Sequence, residues 1–141
     1  MKISTKGRYA LRMMLDVAQH QDEGYVTLKD IASRQAISKT YLEQIALQLT
    51  QAGMLRAVRG HQGGYRLTSA PGDYTVLSIL EVTEGPLAPV ACMDQTPNAC
   101  ARCASCLTLP VWQGLDRVMR DYLGSITLSS ILERAKECPE A

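Results

Sequence analysis

Apolar residues in the first half of the chain recur at helical spacing in three successive segments. The first runs from a cap at Ser4 or Thr5 to about residue 21, the second opens at Thr27, and the third follows Ser38. Serine and threonine commonly cap helix N-termini, so each segment is predicted to be a helix. The third segment has apolar residues at i, i+3, i+4 and i+7, which predicts one buried face and one polar face. These apolar residues are Leu42, Ile45, Ala46 and Leu49.

Two short segments of alternating apolar and polar residues follow the third predicted helix. They cover residues 54–58 and 65–68, and a glycine-rich stretch, residues 59–64, joins them. This pattern is typical of a β-hairpin with a tight tip. We therefore predict a mainly α fold with a small β-hairpin wing. Three helices and a hairpin indicate a winged helix-turn-helix DNA-binding domain over residues 1–70.

Residues 71–141 are predicted to hold a loop between helices. Thr75 caps a helix to about Glu84, and glycine and proline in residues 85–89 then break the helical pattern. The loop that follows extends to about residue 109 and carries four of the five cysteines.

A long helix is predicted from near Pro110, and a last helix follows Thr127. The long helix has apolar residues four and three positions apart, like one edge of a coiled coil. Both helices are therefore assigned to dimerisation. The apolar edge consists of Val111, Leu115, Val118 and Tyr122.

Charge is distributed unevenly between the two halves of this 141-residue chain. Residues 1–70 hold ten Lys and Arg against five Asp and Glu, whereas residues 71–141 hold five against nine. The halves carry about +5 and −4, although the whole chain has a net charge of only +1. The positive first half favours contact with a polyanion such as DNA.

Signals for a membrane or for export are absent from the sequence. No run of about 18 apolar residues occurs, and the first residues lack the apolar stretch of a signal peptide. We therefore expect a cytoplasmic protein with no membrane partner. In a reducing cytosol, five cysteines favour metal ligation or redox chemistry over disulfides.

The helix after Ser38 and the wing are the predicted DNA-reading elements. Helix-turn-helix proteins place their second helix in the major groove, where its N-terminal residues reach base edges. Arg59 and Gly60 are predicted to reach the minor groove, because a cation on a thin loop suits its negative potential. A solvated polar helix face is the alternative interpretation. The predicted major-groove residues are Ser38, Lys39, Thr40, Tyr41, Glu43 and Gln44.

Cations near these elements are predicted to contact phosphate groups. The glycine-rich stretch matches no Walker spacing and precedes a strand, so nucleotide binding is disfavoured. The phosphate-contacting residues would be Lys2, Lys6, Arg8, Arg56 and Arg66.

Four cysteines lie within fifteen residues of the predicted loop. They form a lone residue followed by a run of three, which favours an iron–sulfur cluster, because structural zinc sites often use paired Cys-x2-Cys units. Zinc and thiol redox chemistry stay open as alternatives. The fifth cysteine, Cys138, is expected to be a buried free thiol. The predicted ligands are Cys92, Cys100, Cys103 and Cys106.

A small redox enzyme is the alternative from another class, since Cys-x2-Cys can be a dithiol oxidoreductase site. No thioredoxin-like βαβ pattern surrounds Cys100 to Cys106, and His20 and His61 lie far along the chain from the cysteines. We therefore predict that the protein is not an enzyme.

Four motifs resemble the family of regulators that includes IscR, NsrR and CymR. They are MKISTKGRYA at residues 1–10, SKTYLEQ at 38–44, VRGHQGGY at 58–65 and EGPLAPV at 84–90. The resemblance covers nearly the whole chain and implies a homodimer that binds double-stranded DNA. It also implies that the long helix of each subunit crosses its partner's, and that Arg59 reads the minor groove.

The cysteine pattern resembles the cluster-binding branch of this family, in which the last cysteine precedes Leu-Thr. Cys92, Cys100 and Cys106 match that pattern. The histidine that completes the site in the IscR branch corresponds to Leu109 here. The carboxylate used by the nitric-oxide-sensing branch corresponds to Arg8. Neither fourth ligand therefore carries over to this chain.

We assign the fourth ligand to Cys103, with Asp94, Cys138 or an external thiol as alternatives. A [2Fe–2S] cluster is favoured over [4Fe–4S]. The predicted function is an IscR-like, iron–sulfur-cluster-sensing repressor of transcription. A nitric-oxide or thiol redox sensor of the same family is the alternative, and a zinc-stabilised DNA-binding protein is less favoured.

Overall fold

The structure is a computed structural model and describes residues 2–138. Six α-helices and one antiparallel hairpin form the described part of the chain, which confirms the predicted fold class. None of the described helices is long and apolar enough to cross a membrane. In chain order the elements are α1 (Thr5–His20), α2 (Leu28–Gln35), α3 (Lys39–Gln51), β1 (Leu55–Val58), β2 (Gly64–Leu67), α4 (Val76–Glu84), α5 (Leu109–Ser125) and α6 (Leu128–Glu137).

Side-chain caps start most of the helices where the sequence predicts. Each capping hydroxyl accepts a hydrogen bond from the backbone N–H three residues further on. Helix α3 ends at Gln51, and Gly53, which follows its C-cap, has a φ of +76°. There the N–H of Met54 donates to the carbonyl of Leu49 at 2.9 Å, as in a Schellman motif. The capping residues are Ser4, Thr27, Ser38, Thr75 and Thr127.

Helices α1 to α4 share one hydrophobic core. Leu42 of α3 and Ile79 of α4 are fully buried in it, and Leu128 at the start of α6 joins them. Glu84 at the end of α4 accepts hydrogen bonds from the backbone N–H and the hydroxyl of Ser4, both at 2.6 Å. Helix α4, which follows the predicted boundary at residue 70, thus packs directly on the N-terminal helices.

The wing is tied to the turn before α2. Strands β1 and β2 pair from Leu55 opposite Leu67 to Val58 opposite Gly64. Val26 adds a further bridge, because its N–H and carbonyl bond to the backbone of Tyr65 at 2.9 and 2.8 Å. Gly64 has a φ of +147°, and a Cβ there would lie 2.5 Å from the carbonyl oxygen of Val26. Glycine therefore permits this close approach.

Two backbone hydrogen bonds join the C-terminal end of α5 to the start of α4. The N–H of Val76 donates to the carbonyl of Ile126 at 2.9 Å. The N–H of Leu128 donates to the carbonyl of Tyr74 at 3.0 Å. Thr75 and Thr127, the two caps, face each other as an isolated β-bridge. The end of α5 is thereby fixed to the shared core.

Candidate nucleic-acid interface and cysteine loop

The outward face of α3 carries most of the predicted major-groove residues. Their side chains are exposed, while the opposite face is buried through Leu42 and Leu49. The Ser38 hydroxyl accepts a hydrogen bond from the N–H of Tyr41 at 3.2 Å, so it also caps the helix. One surface thus presents hydroxyl, ammonium, carboxylate and amide groups. The exposed residues are Ser38, Lys39, Thr40, Glu43 and Gln44.

Tyr41 differs from these neighbours because it is half-buried. Its ring meets the ring of Tyr9 edge-on, with centroids 5.7 Å apart and planes at 89°. The guanidinium of Arg12 lies 5.2 Å from the Tyr9 centroid and donates to the side chain and the backbone carbonyl of Gln35. These contacts hold the first turn of α3 against α1.

A buried carboxylate ties α2 to α1 and so helps to set the orientation of α3. Asp16 is fully buried and accepts two hydrogen bonds from Arg34, at 2.7 and 3.0 Å, and one from Gln35 at 3.0 Å. Burial alone would raise the pKa of Asp16, but these hydrogen bonds and the charge of Arg34 hold the pKa below its ordinary value. The sequence prediction missed this residue, since a lone aspartate in an apolar helix does not reveal its partners.

The wing tip presents Arg59 and Gly60 to solvent. Gly60 has a φ of +110°, and its carbonyl accepts a hydrogen bond from the N–H of Gly63 at 3.1 Å. A cleft of about 440 Å³, the α3–wing cleft, lies between this tip and α3. Glu43, Leu47, Val58 and Arg59 are among the residues that line it. The structure therefore brings one predicted helix residue, Glu43, and one predicted wing residue, Arg59, to the same cleft.

Two of the predicted phosphate-contacting cations make protein contacts, and one of them, Arg8, donates to the Thr5 hydroxyl at 3.1 Å. Arg66 donates to the carbonyl of Gln21 at 2.8 Å and lies 5.5 Å from the ring centroid of Tyr25. This restrains Arg66 beside the wing. The cations other than Arg66 lie at the surface, half-buried in the case of Lys6; they are Lys2, Lys6, Arg8 and Arg56.

The cysteine loop, residues 85–108, holds the predicted ligands in exposed turns. Cys92 is exposed, and Cys100, Cys103 and Cys106 are half-buried. Thiols are the donors that iron–sulfur clusters use, so the chemistry of the loop fits the predicted cofactor. Across residues 2–138, no three Cys, His, Asp or Glu side chains are gathered into a metal-binding group. Holding a cluster therefore requires the loop to bring its thiols together.

Cys138 lies apart from this loop, at the end of α6, where its N–H donates to the carbonyl of Arg134 at 3.1 Å. It is exposed, so the expectation of a buried thiol is wrong. The reason is that the last turns of α6 run along the surface, with Ala135 also exposed.

Cys106 lies just before the first turn of α5. Its Sγ is 3.4 Å from the Thr108 hydroxyl. Hydrogen bonds from this hydroxyl, and from the backbone N–H groups of Thr108 and Leu109, lower the pKa of the Cys106 thiol. The thiolate is the form that ligates metals and reacts with oxidants, so a lowered pKa of Cys106 favours both metal ligation and oxidation.

Arg120 of α5 connects the cysteine loop to α4. It donates to Glu81 of α4 at 2.7 Å and to Asp116 one turn earlier at 3.1 Å. It also donates to the carbonyl of Leu87, in the loop, at 3.5 Å. Leu87 is the only buried residue of the loop, all of which the structure describes. The sequence pattern did not identify Arg120 as a link.

The predicted apolar edge of α5 is exposed. Tyr122 also lines a small apolar cleft of about 220 Å³ with Ile3 and Leu87. A stripe of exposed apolar side chains on one helix is typical of a surface that meets another protein chain. Val111, Leu115, Val118 and Tyr122 are each at least 41% exposed.

The family model Rrf2, described as iron-dependent transcriptional regulator, matches residues 3–134. Two relatives span nearly all of the chain. This chain is 39% identical to protein rrf2 of Nitratidesulfovibrio vulgaris, over 99% of this chain and 93% of the relative. This chain is also 38% identical to the HTH-type transcriptional regulator IscR of Aliivibrio salmonicida, over 94% of this chain and 77% of the relative.

Two solved structures are similar over nearly the whole fold. IscR of T. potens superposes with a TM-score of 0.80 at 40% identity, covering 100% of this chain and 93% of that one. CymR, the global cysteine regulator of B. subtilis, superposes with a TM-score of 0.78 at 34% identity, covering 95% and 98%. These likenesses confirm the family resemblance and the winged-helix fold that the sequence predicts.

Proposed function

Because this chain belongs to the Rrf2 family of iron-dependent transcriptional regulators, we propose that it is a homodimeric repressor that binds double-stranded DNA and senses an iron–sulfur cluster. Its relatives are named as regulators of transcription, which are not enzymes. The observation that carries the proposal is the single surface on which the polar face of α3 and Arg59 of the wing meet.

In this proposal, residues 1–70 form the DNA-binding domain. The exposed side chains from Ser38 to Gln44 supply donors and acceptors for base edges in the major groove. Arg59 and Gly60 enter the adjacent minor groove, where a thin loop carrying a cation is favoured. The surrounding cations bind phosphate groups and so position the domain without reading sequence.

Residues 71–141 supply the sensor and the dimer contact. Cys92, Cys100 and Cys106 are the proposed cluster ligands, with Cys103 as the fourth. A bound cluster would supply a redox-active centre that ties these thiols together. The exposed turns of the loop support this role, because such turns can rearrange without disrupting the buried core.

The contacts of α4 suggest how the loop would affect DNA binding. Glu81 of α4 holds Arg120, which reaches the loop, and Glu84 of the same helix holds Ser4 at the start of α1. Asp16 then joins α1 to the end of α2 through Arg34. In this proposal, a change in the loop that moves Arg120 would act through α4 on the helices that support α3.

The exposed apolar edge of α5 supports a dimer. A second copy of α5 would cover Val111 and Tyr122, which lie at opposite ends of this edge. Dimerisation would also place the two DNA-binding domains on two half-sites about one turn of the DNA helix apart.

A thiol redox sensor is the second candidate function. It is favoured by the separate, accessible thiols of the loop and by the similarity to CymR. The two candidates differ in colour, because iron–sulfur clusters absorb visible light and oxidised thiols do not.

Anaerobic reconstitution with iron and sulfide tests the cluster. We expect visible absorption and Mössbauer signals from the wild type, and loss of bound iron in Cys92→Ser, Cys100→Ser and Cys106→Ser. An unchanged spectrum for Cys103→Ser would place the fourth ligand elsewhere. A colourless wild type with reversible thiol oxidation would favour the second candidate.

Binding to specific and random duplexes tests the DNA contacts. Glu43→Ala and Gln44→Ala should each weaken binding to the preferred site by roughly 1 to 3 kcal/mol per lost base contact, with little change on random DNA. Lys6→Ala should weaken both alike. Equal losses on both duplexes for Glu43→Ala and Gln44→Ala would contradict the assignment.

Sedimentation tests the dimer. Leu115→Asp places a charge on the apolar edge of α5 and should give monomers that lose specific DNA binding. A wild type that sediments as a monomer at micromolar concentration would contradict a dimer held by this edge.

A further inference from the structure

Leu47 is an exposed leucine on an otherwise polar surface. It lies one helical turn beyond Glu43 on the outward face of α3, and 59% of it is exposed. Leu42 and Leu49 of the same helix are fully buried in the core, so the core does not use Leu47. A single exposed leucine is common on a protein surface, so Leu47 points to a binding site only if a second apolar group lies beside it.

Val58 of the wing contributes a second apolar group to the same cleft. Its cross-strand partner is Gly64, which has no side chain to cover it, and 42% of Val58 is exposed. Both Leu47 and Val58 line the α3–wing cleft, together with the cation Arg59. Aliphatic groups beside a cation match the surface of a DNA strand, where phosphates alternate with sugars and thymine methyl groups project into the major groove.

We infer that Leu47 is a specificity residue that recognises the 5-methyl group of thymine in the major groove, and that Val58 continues the apolar lining of the cleft towards the wing. The inference rests on the proposed DNA binding and adds apolar recognition to it. Leucine neither donates nor accepts hydrogen bonds, so the methyl group of thymine is the base-edge feature that it can discriminate.

The position of Leu47 along α3 sets which base pair it meets. Eight residues separate it from Lys39, a rise of about 12 Å along the helix axis. Leu47 therefore lies beyond the first turn, from which helix-turn-helix proteins make most base contacts, and nearer to the wing. It extends the reading surface towards Arg59 rather than duplicating Glu43 and Gln44.

The test removes thymine methyl groups one at a time. Duplexes are selected from a random library with the full-length protein, and each thymine of the selected site is replaced by deoxyuridine, which lacks only the methyl group. Fluorescence anisotropy then gives Kd for wild type and for Leu47→Ala. At one or two positions per half-site we expect wild type to lose affinity roughly fourfold, which corresponds to about 0.8 kcal/mol for one buried methyl group.

The variants separate apolar recognition from a general loss of binding. Leu47→Ala should bind the thymine and deoxyuridine duplexes equally at those positions. Leu47→Met, which keeps an apolar side chain, and Gln51→Ala, an exposed control on the same helix, should keep the discrimination. Circular dichroism checks that Leu47→Ala folds, as the exposure of this side chain predicts.

Two outcomes would overturn the inference. In one, deoxyuridine weakens wild type and Leu47→Ala by the same factor at every position, which assigns the methyl contacts to other side chains. In the other, no thymine position is sensitive, and the patch then serves a protein partner or none. Failure to select any duplex would instead contradict the proposed DNA binding, so the two failures are distinguishable.

Discussion

The proposed DNA-binding half, residues 1–70, and the cysteine loop bury very different shares of their side chains. Helices α1 to α3 have fully buried residues such as Met13, Ile31 and Leu42, and a buried carboxylate with three hydrogen bonds. In the cysteine loop, residues 85–108, Leu87 alone is buried, and the local structure consists of short turns. One region is fixed by its own packing, and the other is not.

This difference indicates how the two tasks are divided. A packed core beneath the proposed reading surface would limit the loss of conformational entropy on DNA binding, because the backbone that carries this surface is already fixed. A loop with few buried contacts opens at low free energy, so a ligand can determine its conformation. Four substitutions test this contrast, from the largest expected effect to the smallest.

The same substitution, leucine to alanine, should change the free energy of unfolding by very different amounts in the two regions. Leu42→Ala removes a fully buried side chain from α3 and should lower the free energy of unfolding by about 3 to 5 kcal/mol. Leu107→Ala in the loop, where 94% of the residue is exposed, should change it by less than about 0.5 kcal/mol. Urea denaturation measures both, and similar losses would contradict the contrast.

Removal of the buried Asp16 carboxylate should also destabilise the N-terminal helices. Asp16→Ala should lower the free energy of unfolding by about 2 to 3 kcal/mol, since Arg34 and Gln35 lose charge-assisted hydrogen bonds. Asp22→Ala, an exposed control in the following turn, should have little effect.

The pH dependence of stability gives the same residue a second test. The pKa of Asp16 is lowered in the folded state, so its contribution is complete above the ordinary carboxyl range near pH 4 and is lost as pH falls through the lowered value. Denaturation midpoints between pH 7 and pH 3 should therefore fall less steeply for Asp16→Ala than for wild type. Parallel profiles would show that Asp16 is not the titrating group.

Gly64→Ala tests whether the wing is as fixed as the helices. The added Cβ would lie 2.5 Å from the Val26 carbonyl oxygen, which should break the bridge to Tyr65. We expect a loss of about 1 to 2 kcal/mol beyond that of Gly60→Ala, where φ is also positive but no atom lies within 4 Å. Equal losses in thermal denaturation would indicate that only backbone strain matters.

Arg120→Ala should have the smallest effect on overall stability. Arg120 and Glu81 are each about 40% exposed, so their ion pair is screened by water and contributes about 1 kcal/mol or less. Hydrogen exchange in residues 85–108 should nevertheless increase, because the contact with Leu87 is lost. Arg117→Ala, an exposed control on α5, should change neither; equal exchange in both variants would show that Arg120 does not hold the loop.

Local signals made most of the fold predictable. Capping hydroxyls at Ser4, Ser38 and Thr75 and the glycine at position 53 act within a few residues, so the sequence alone locates the helices. The bridges from Val26 to Tyr65 and from Thr75 to Thr127 were not predicted. They join residues distant in sequence, whose pairing depends on how the helices pack.

The candidate site was predicted less completely than the fold. Residue type and helical spacing were enough to place Lys39, Glu43 and Gln44 on an exposed face. Leu47 lies off the apolar spacing of Leu42, Ile45 and Leu49, so the pattern leaves it outside the buried face, but residue type alone does not show what an exposed leucine contacts. The arrangement of the cysteine thiols was also beyond sequence reasoning, since three-residue spacing constrains distance along the chain but not direction.

The hydrogen bonds of Val76 and Leu128 have a mechanical consequence for α5. They fix its C-terminal end, whereas its N-terminal end continues from the cysteine loop. The helix has 17 residues and is thus about 25 Å long. The helix can therefore pivot about its fixed end at Ile126. A tilt of about 10° would displace the end beside Cys106 by roughly 4 Å, while the C-terminal end would barely move.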